Sequence, residues 1–196
     1  MLDRVARTTC QALLLGTLTL TSAAFAQSAP APAAPPAPAA PATPAAPAAP
    51  AEKPCVALEF HQFDFWIGSW EVKNPQGGIE GYNKIDAIQD GCAIQEHWDN
   101  NGETGTSLNT YDAGAHKWHQ TWVDNHGGLL VLNGEWSGGK MTLSGPQVSR
   151  KDPTKTILNR ITWTPIDANH VRQFWEISRD GGKTWASNFD GMYTRK

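Results

Sequence analysis

No part of this sequence repeats apolar residues at the three-to-four-residue interval of a long helix. That absence removes the α/β folds that hold nucleotides in a crevice between strands and helices. Basic residues are few as well, 16 Lys and Arg against 19 Asp and Glu, for a net charge of −3. There is no cationic face to follow a nucleic acid and no lysine-rich amphipathic segment to dock on a membrane. No phosphate loop, dinucleotide motif or Ser-His-Asp order is found. The six histidines lack ligand spacing. His116 and His119 would face opposite sides of a strand, while His97 beside Glu96 and His126 in a Gly-rich turn stand alone, so no metal is expected. Only three cysteines occur. Neither Cys55 nor Cys92 sits in a pattern that would lower a thiol pKa, which argues against thiol catalysis.

What is present divides the chain into three parts. Residues 1–26 read as a secretory signal peptide, with Arg4 and Arg7 before an apolar run from about Ala12 to Leu20 and a small-residue cleavage site at Ala24-Phe25-Ala26. The run falls short of the roughly 20 residues of a membrane span. Residues 27–54 form an Ala/Pro-rich linker holding most of the chain's 14 prolines, a tract that buries no core and reads as an extended, disordered spacer. Residues 55–196 remain as one domain. Loss of Asp3, Arg4 and Arg7 with the signal leaves 14 basic against 18 acidic side chains, a net −4. The expected location is periplasmic or secreted, with no transmembrane span after cleavage. In such an oxidising compartment Cys55 and Cys92 are expected to pair.

Within residues 55–196, turn signals recur at short intervals, among them Asn74-Pro75-Gln76-Gly77-Gly78, Asn125-His126-Gly127-Gly128 and Asp180-Gly181-Gly182. Runs rich in Val, Ile, Thr, Trp and Tyr lie between them. Strands are expected near 69–74, 79–89, 93–98, 105–111, 117–124, 128–135, 140–145, 157–164, 171–178 and 185–193, after a short helix around 59–66. The fold class is therefore all-β: a single antiparallel up-and-down barrel of about ten strands, closed so that no edge is exposed.

Phe63-Asp64-Phe65-Trp66-Ile67-Gly68-Ser69-Trp70, Gly91-Cys92-Ala93-Ile94-Gln95-Glu96-His97-Trp98 and Trp118-His119-Gln120-Thr121-Trp122 resemble a secreted bacterial family of unknown function. Gly68-Ser69-Trp70 also resembles the Gly-x-Trp opening of lipocalins and other calycins. The resemblance implies that Trp70 plugs one end of a barrel and that Arg195, by position, lies over it. Nitrobindin-like haem barrels share that start, but this sequence has no Gly-x-Gly after it and no histidine beyond His170 as a late axial ligand, so no cofactor is expected. Ser178-Arg179-Asp180-Gly181-Gly182-Lys183-Thr184-Trp185 fits the Asp-box pattern of sialidases and other propellers. A single copy cannot build a propeller and implies a structural hairpin.

All nine tryptophans fall between Trp66 and Trp185, and several alternate with polar residues. Period two puts Trp118, Gln120, Trp122 and Asp124 on one strand face. Val171, Gln173, Trp175 and Ile177 share another, as do Asn159, Ile161 and Trp163, and Ser107, Asn109 and Tyr111. Directed into one barrel, these faces give either a Trp/Gln-lined pocket for a small organic ligand or a filled core. On the first reading Gln120, Trp122, Trp163, Gln173 and Trp175 line the pocket, with Ser107, Asn109, Glu96 and Glu176 as polar contacts. The alternatives are a cell-envelope hydrolase using paired carboxylates from Glu96, Asp124 and Glu176, or a structural or partner-binding envelope module.

Overall fold

The computed structural model describes residues 54–196, so the expected signal peptide and nearly all of the expected linker lie outside the described residues. Ten strands follow one another: β1 (Gly68–Lys73), β2 (Ile79–Ile88), β3 (Ala93–Asp99), β4 (Thr104–Asp112), β5 (Lys117–Asp124), β6 (Leu129–Ser137), β7 (Lys140–Val148), β8 (Thr156–Asp167), β9 (His170–Ser178) and β10 (Ala186–Arg195). Each pairs antiparallel with its neighbour in sequence, and β1 pairs with β10, which closes the barrel. Closure satisfies the edge amides and carbonyls that an open meander would leave bare. The helix expected over 59–66 is two 3-10 turns, Leu58–His61 and Asp64–Trp66.

Inward and outward residues alternate along the strands. On β8, Asn159, Ile161 and Trp163 are buried while Arg160, Thr162 and Thr164 are partly exposed. The register shifts only at Val72/Lys73, Pro165/Asp167 and Ser187/Phe189, near strand ends, so the alternation survives through the middle of the barrel. The β1–β2, β3–β4, β5–β6, β7–β8 and β9–β10 turns gather at one end of the barrel, and the two 3-10 turns close the other.

That closed end is an aromatic plug. Phe63 and Trp66 are both fully buried and stack with ring centroids 5.0 Å apart. Trp163 approaches Phe63 at 5.1 Å and Trp66 at 5.4 Å, and Trp118 meets Phe63 edge-on at 5.5 Å. The Trp70 indole donates to Trp66 O at 2.8 Å, tying β1 to the turn before it. Arg195, opposite Trp70 in the β1–β10 register, lies 4.2 Å over the Trp70 ring and donates to Ile67 O at 2.9 Å. The guanidinium occupies the space a side chain at Gly68 would need, and Gly68 has φ +141°.

A Cys55–Cys92 disulfide anchors the start of this plug to the β2–β3 connection, with Cα atoms 5.2 Å apart. It spans a sequence separation of 37 residues, a loop whose cross-link restricts the unfolded chain by about 3–4 kcal/mol. Reduction should lower the urea midpoint of residues 55–196, as should Cys92→Ser. Identical midpoints with and without reductant would contradict that role.

The Asp-box hairpin is built as its chemistry requires. Asp180 Oδ1 accepts from the amides of Lys183 and Thr184 at 3.0 and 2.9 Å, and Oδ2 accepts from the Thr184 hydroxyl at 2.6 Å. These bonds, the Thr184 hydroxyl first, hold the Asp180 carboxyl down to about 2. The motif joins β9 to β10 on the outside of the barrel, where Trp185 lies under Arg160 at 4.1 Å.

Candidate functional site

Above the plug the interior turns polar. Glu96, at the middle of β3, is 4% exposed. Its Oε1 accepts from Asn83 Nδ2 at 2.7 Å and its Oε2 from the Ser107 hydroxyl at 2.6 Å. Asn83 also donates to the Tyr193 hydroxyl, which in turn donates to Gln173 Oε1. On the other side, Gln120 Nε2 donates to Asn109 Oδ1 at 2.8 Å, and Asn109 Nδ2 donates to Ser107 at 2.9 Å. A connected polar layer from β2, β3, β4, β5, β9 and β10 thus crosses the barrel. Burial pushes the Glu96 carboxyl up to about 7 despite the bonds from Ser107 and Asn83. Burial, with Glu96 nearby, also raises the Tyr193 hydroxyl well above its ordinary value.

Between this layer and the open end lies a cavity of about 400 Å³, within the range of small-molecule sites. Trp98, Trp122, Trp175 and Phe189 wall it, and Glu96, Gln120, Gln173 and Tyr193 reach it from the polar layer. Trp175 is fixed by its indole donating to Asn159 Oδ1 at 3.0 Å. Two of the tryptophans lie where the adjoining strand carries glycine. A Cβ on Gly81 would strike the Trp98 ring, and one on Gly105 would strike the Trp122 ring. The bare backbone lets each indole settle against the wall instead of crossing the lumen. Glu80, Glu103, Asp124, His126 and Arg150 surround the mouth.

Of the residues named from sequence, Glu96, Gln120, Trp122, Gln173 and Trp175 meet at this cavity. Ser107 and Asn109 lie behind it, holding Glu96 and Gln120. Trp163 shares the interior face but sits lower, 1% exposed inside the aromatic plug, and is packing rather than cavity wall. Glu176 points outward from β9, where its carboxylate accepts from Arg160 Nε and Nη2 at 3.1 and 2.9 Å. It therefore shares no face with Glu96. Asp124 reaches the mouth, but its Oδ1 accepts from the amides of His126 and Gly128 in the β5–β6 turn. Burial works against its ionisation, but these amides keep its carboxyl below the ordinary range. Of the three carboxylates, Glu96 lies at the floor of the cavity and Asp124 at its mouth, while Glu176 is outside it.

The sequence reading passes over Asn83, Trp98, Phe189 and Tyr193 as site residues. Period-two alternation offers a signal for three of them. Trp98 shares a face with Glu96, and Phe189 and Tyr193 share one on β10. Asn83 is found only through its cross-barrel partners.

Among the described residues no group of three His, Cys, Asp or Glu side chains is placed to hold a metal ion, and no helix is long and apolar enough to cross a membrane. The fold and the site define a class: a closed ten-stranded antiparallel barrel, plugged at one end and hollow at the other, with an aromatic cavity over a buried polar layer. No protein-family model matches the chain, and no curated protein matches it.

Proposed function

We propose that residues 55–196 form an exported binding domain that takes a small organic ligand into the aromatic cavity. The observation that carries this reading is the cavity itself: a barrel folded only for stability would fill its lumen to crystal-like density. This one keeps about 400 Å³ open between four large aromatic side chains and a polar floor. The floor also has unused capacity. Gln173 spends its carbonyl on Tyr193, and Gln120 spends its amide nitrogen on Asn109 and Ser107. Among the described residues, Gln173 Nε2 and Gln120 Oε1 have no protein partner. Broad aromatic walls with a few polar groups are the composition of sites that stack a ring and orient it by hydrogen bonds. The disulfide and the signal-like N-terminal sequence support a periplasmic or secreted site of action, with the Ala/Pro tract as a spacer.

Native mass spectrometry of the protein purified from the periplasm tests the proposal. The expected result is a reproducible extra mass of small-molecule size that leaves on denaturation and is absent from Trp175→Ala. If the wild type carries no such mass, and periplasmic extract changes neither its tryptophan fluorescence nor its melting temperature, the binding role is rejected.

A further inference from the structure

The chemistry of the cavity floor narrows the ligand class. We propose that the cavity selects a flat organic cation of the amidine or aminoaromatic kind, whose N–H groups meet Glu96, and that it rejects carboxylates of the same shape. The inference rests on the binding role above and adds the sign of the ligand's charge.

Among the described residues Glu96 is the one carboxyl group in the buried polar layer, and no cation shares that layer with it. The basic side chains of the neighbouring wall face outward and are already paired: Lys84 with Asp86 at 2.9 Å, Arg160 with Glu176, and Arg172 with Asp190 at 2.8 Å. His97, beside Glu96 in sequence, is also on the outer face, 4.0 Å from Asp86. Tyr193, from β10, is the only other titratable group among the described residues of the layer, and it stays neutral. At the mouth, Glu80, Glu103 and Asp124 outnumber Arg150 and His126, and Arg150 donates to the His126 carbonyl at 3.0 Å. From floor to mouth the site is therefore short of positive charge.

Each Glu96 oxygen accepts one protein hydrogen bond, whereas a carboxylate has about four lone-pair sites. The remaining sites and the open Gln120 carbonyl favour a ligand that donates. Trp98, Trp122, Trp175 and Phe189 supply walls for a flat ring and π-systems that attract a cation in a desolvated site. A ligand carboxylate would bring a second negative charge beside Glu96 with no cation to offset it.

Benzamidine, benzamide and benzoate share one shape and differ in charge, so calorimetric titration with all three is a direct test. At pH 8.5 benzamidine should bind at least about tenfold more tightly than benzamide, and benzoate should not bind, as a desolvated opposite charge predicts. Glu96→Gln should abolish the preference for benzamidine over benzamide. Between pH 5.5 and 8.5 wild-type affinity for benzamidine should rise by up to about thirtyfold, the ratio of ionised Glu96 on either side of a pKa of about 7. In Glu96→Gln that rise should vanish, which assigns it to Glu96. Equal binding of the three probes, a preference for benzoate, or a cation preference that survives Glu96→Gln would overturn the proposal. If none of the probes binds while a native ligand is found by mass, only the charge assignment fails. If no ligand is found either, both readings fail.

Discussion

Trp66→Ala should cost residues 55–196 about 3–5 kcal/mol, the range for removing a fully buried large aromatic. At roughly 4 °C per kcal/mol for a domain of this size, the melting temperature would fall by about 12–20 °C. Trp66 is fully buried and contacts Phe63, Trp163 and Tyr193, with centroids at 5.0, 5.4 and 6.3 Å. Its carbonyl also holds the Trp70 indole. The backbone of a short 3-10 turn cannot collapse into the space left without moving Trp70. Trp66→Phe should behave very differently. The Trp66 indole N–H finds no acceptor among the described residues, and a buried unpaired donor costs about 1–3 kcal/mol. Phenylalanine removes that donor while keeping most of the ring, so its cost should be less than half that of alanine. Denaturant midpoints of the two variants decide the matter, and equal losses would show that Trp66 does not act through ring volume.

The second large effect concerns pH. Glu96 is raised from 4.5 to about 7 in the folded protein, mainly by burial. Between those values the folded state keeps a proton that the unfolded chain releases. Stability from this group is therefore full below about pH 4.5 and is lost as pH rises through about 7. A difference of this size corresponds to roughly 3 kcal/mol, as an order of magnitude. Asp180, held down to about 2, has the opposite sign, its stabilisation being lost as pH falls toward that value. Wild type should thus resist urea better at pH 5 than at pH 8, whereas Glu96→Gln should lose most of that slope and exceed wild type at pH 8. A slope that persists in Glu96→Gln would assign it to other groups. Above about pH 7 the barrel carries Glu96 at a cost to its own stability, which accords with the binding role proposed for it.

The ten strands could be read from the sequence because two local signals agree along its length. Glycine-rich turns separate the runs, and inward positions such as Asn159, Ile161 and Trp163 recur every second residue. Their faces were legible because the register shifts lie near strand ends. Period two gives the side of the wall but not the height along the barrel. Trp163 and Trp175 both point inward, yet one belongs to the plug and the other to the cavity, a difference set by strand tilt and the position of the 3-10 turns. Glu176 illustrates the reverse case. It follows Trp175 directly, and adjacent strand residues take opposite faces, so nearness to an aromatic in sequence placed it among the cavity contacts when it lies on the outer face beside Arg160. The Glu96–Asn83–Tyr193–Gln173 chain joins β3, β2, β10 and β9, and no local pattern encodes a contact between residues 110 positions apart.

Gly81 and Gly105 sit behind Trp98 and Trp122, and neither lines the cavity. The width of the chamber is therefore set by two inward-facing positions where the wall has no side chain. A single methyl group at Gly105, whose nearest atoms are all of the Trp122 ring, would push that ring inward and narrow the chamber with Glu96, Gln120 and Gln173 left in place, whereas at Gly81 it would also strike the Asp99 carbonyl. The size of the chamber and the polarity of its floor are thereby encoded at separate positions, so that one can change without rewriting the other.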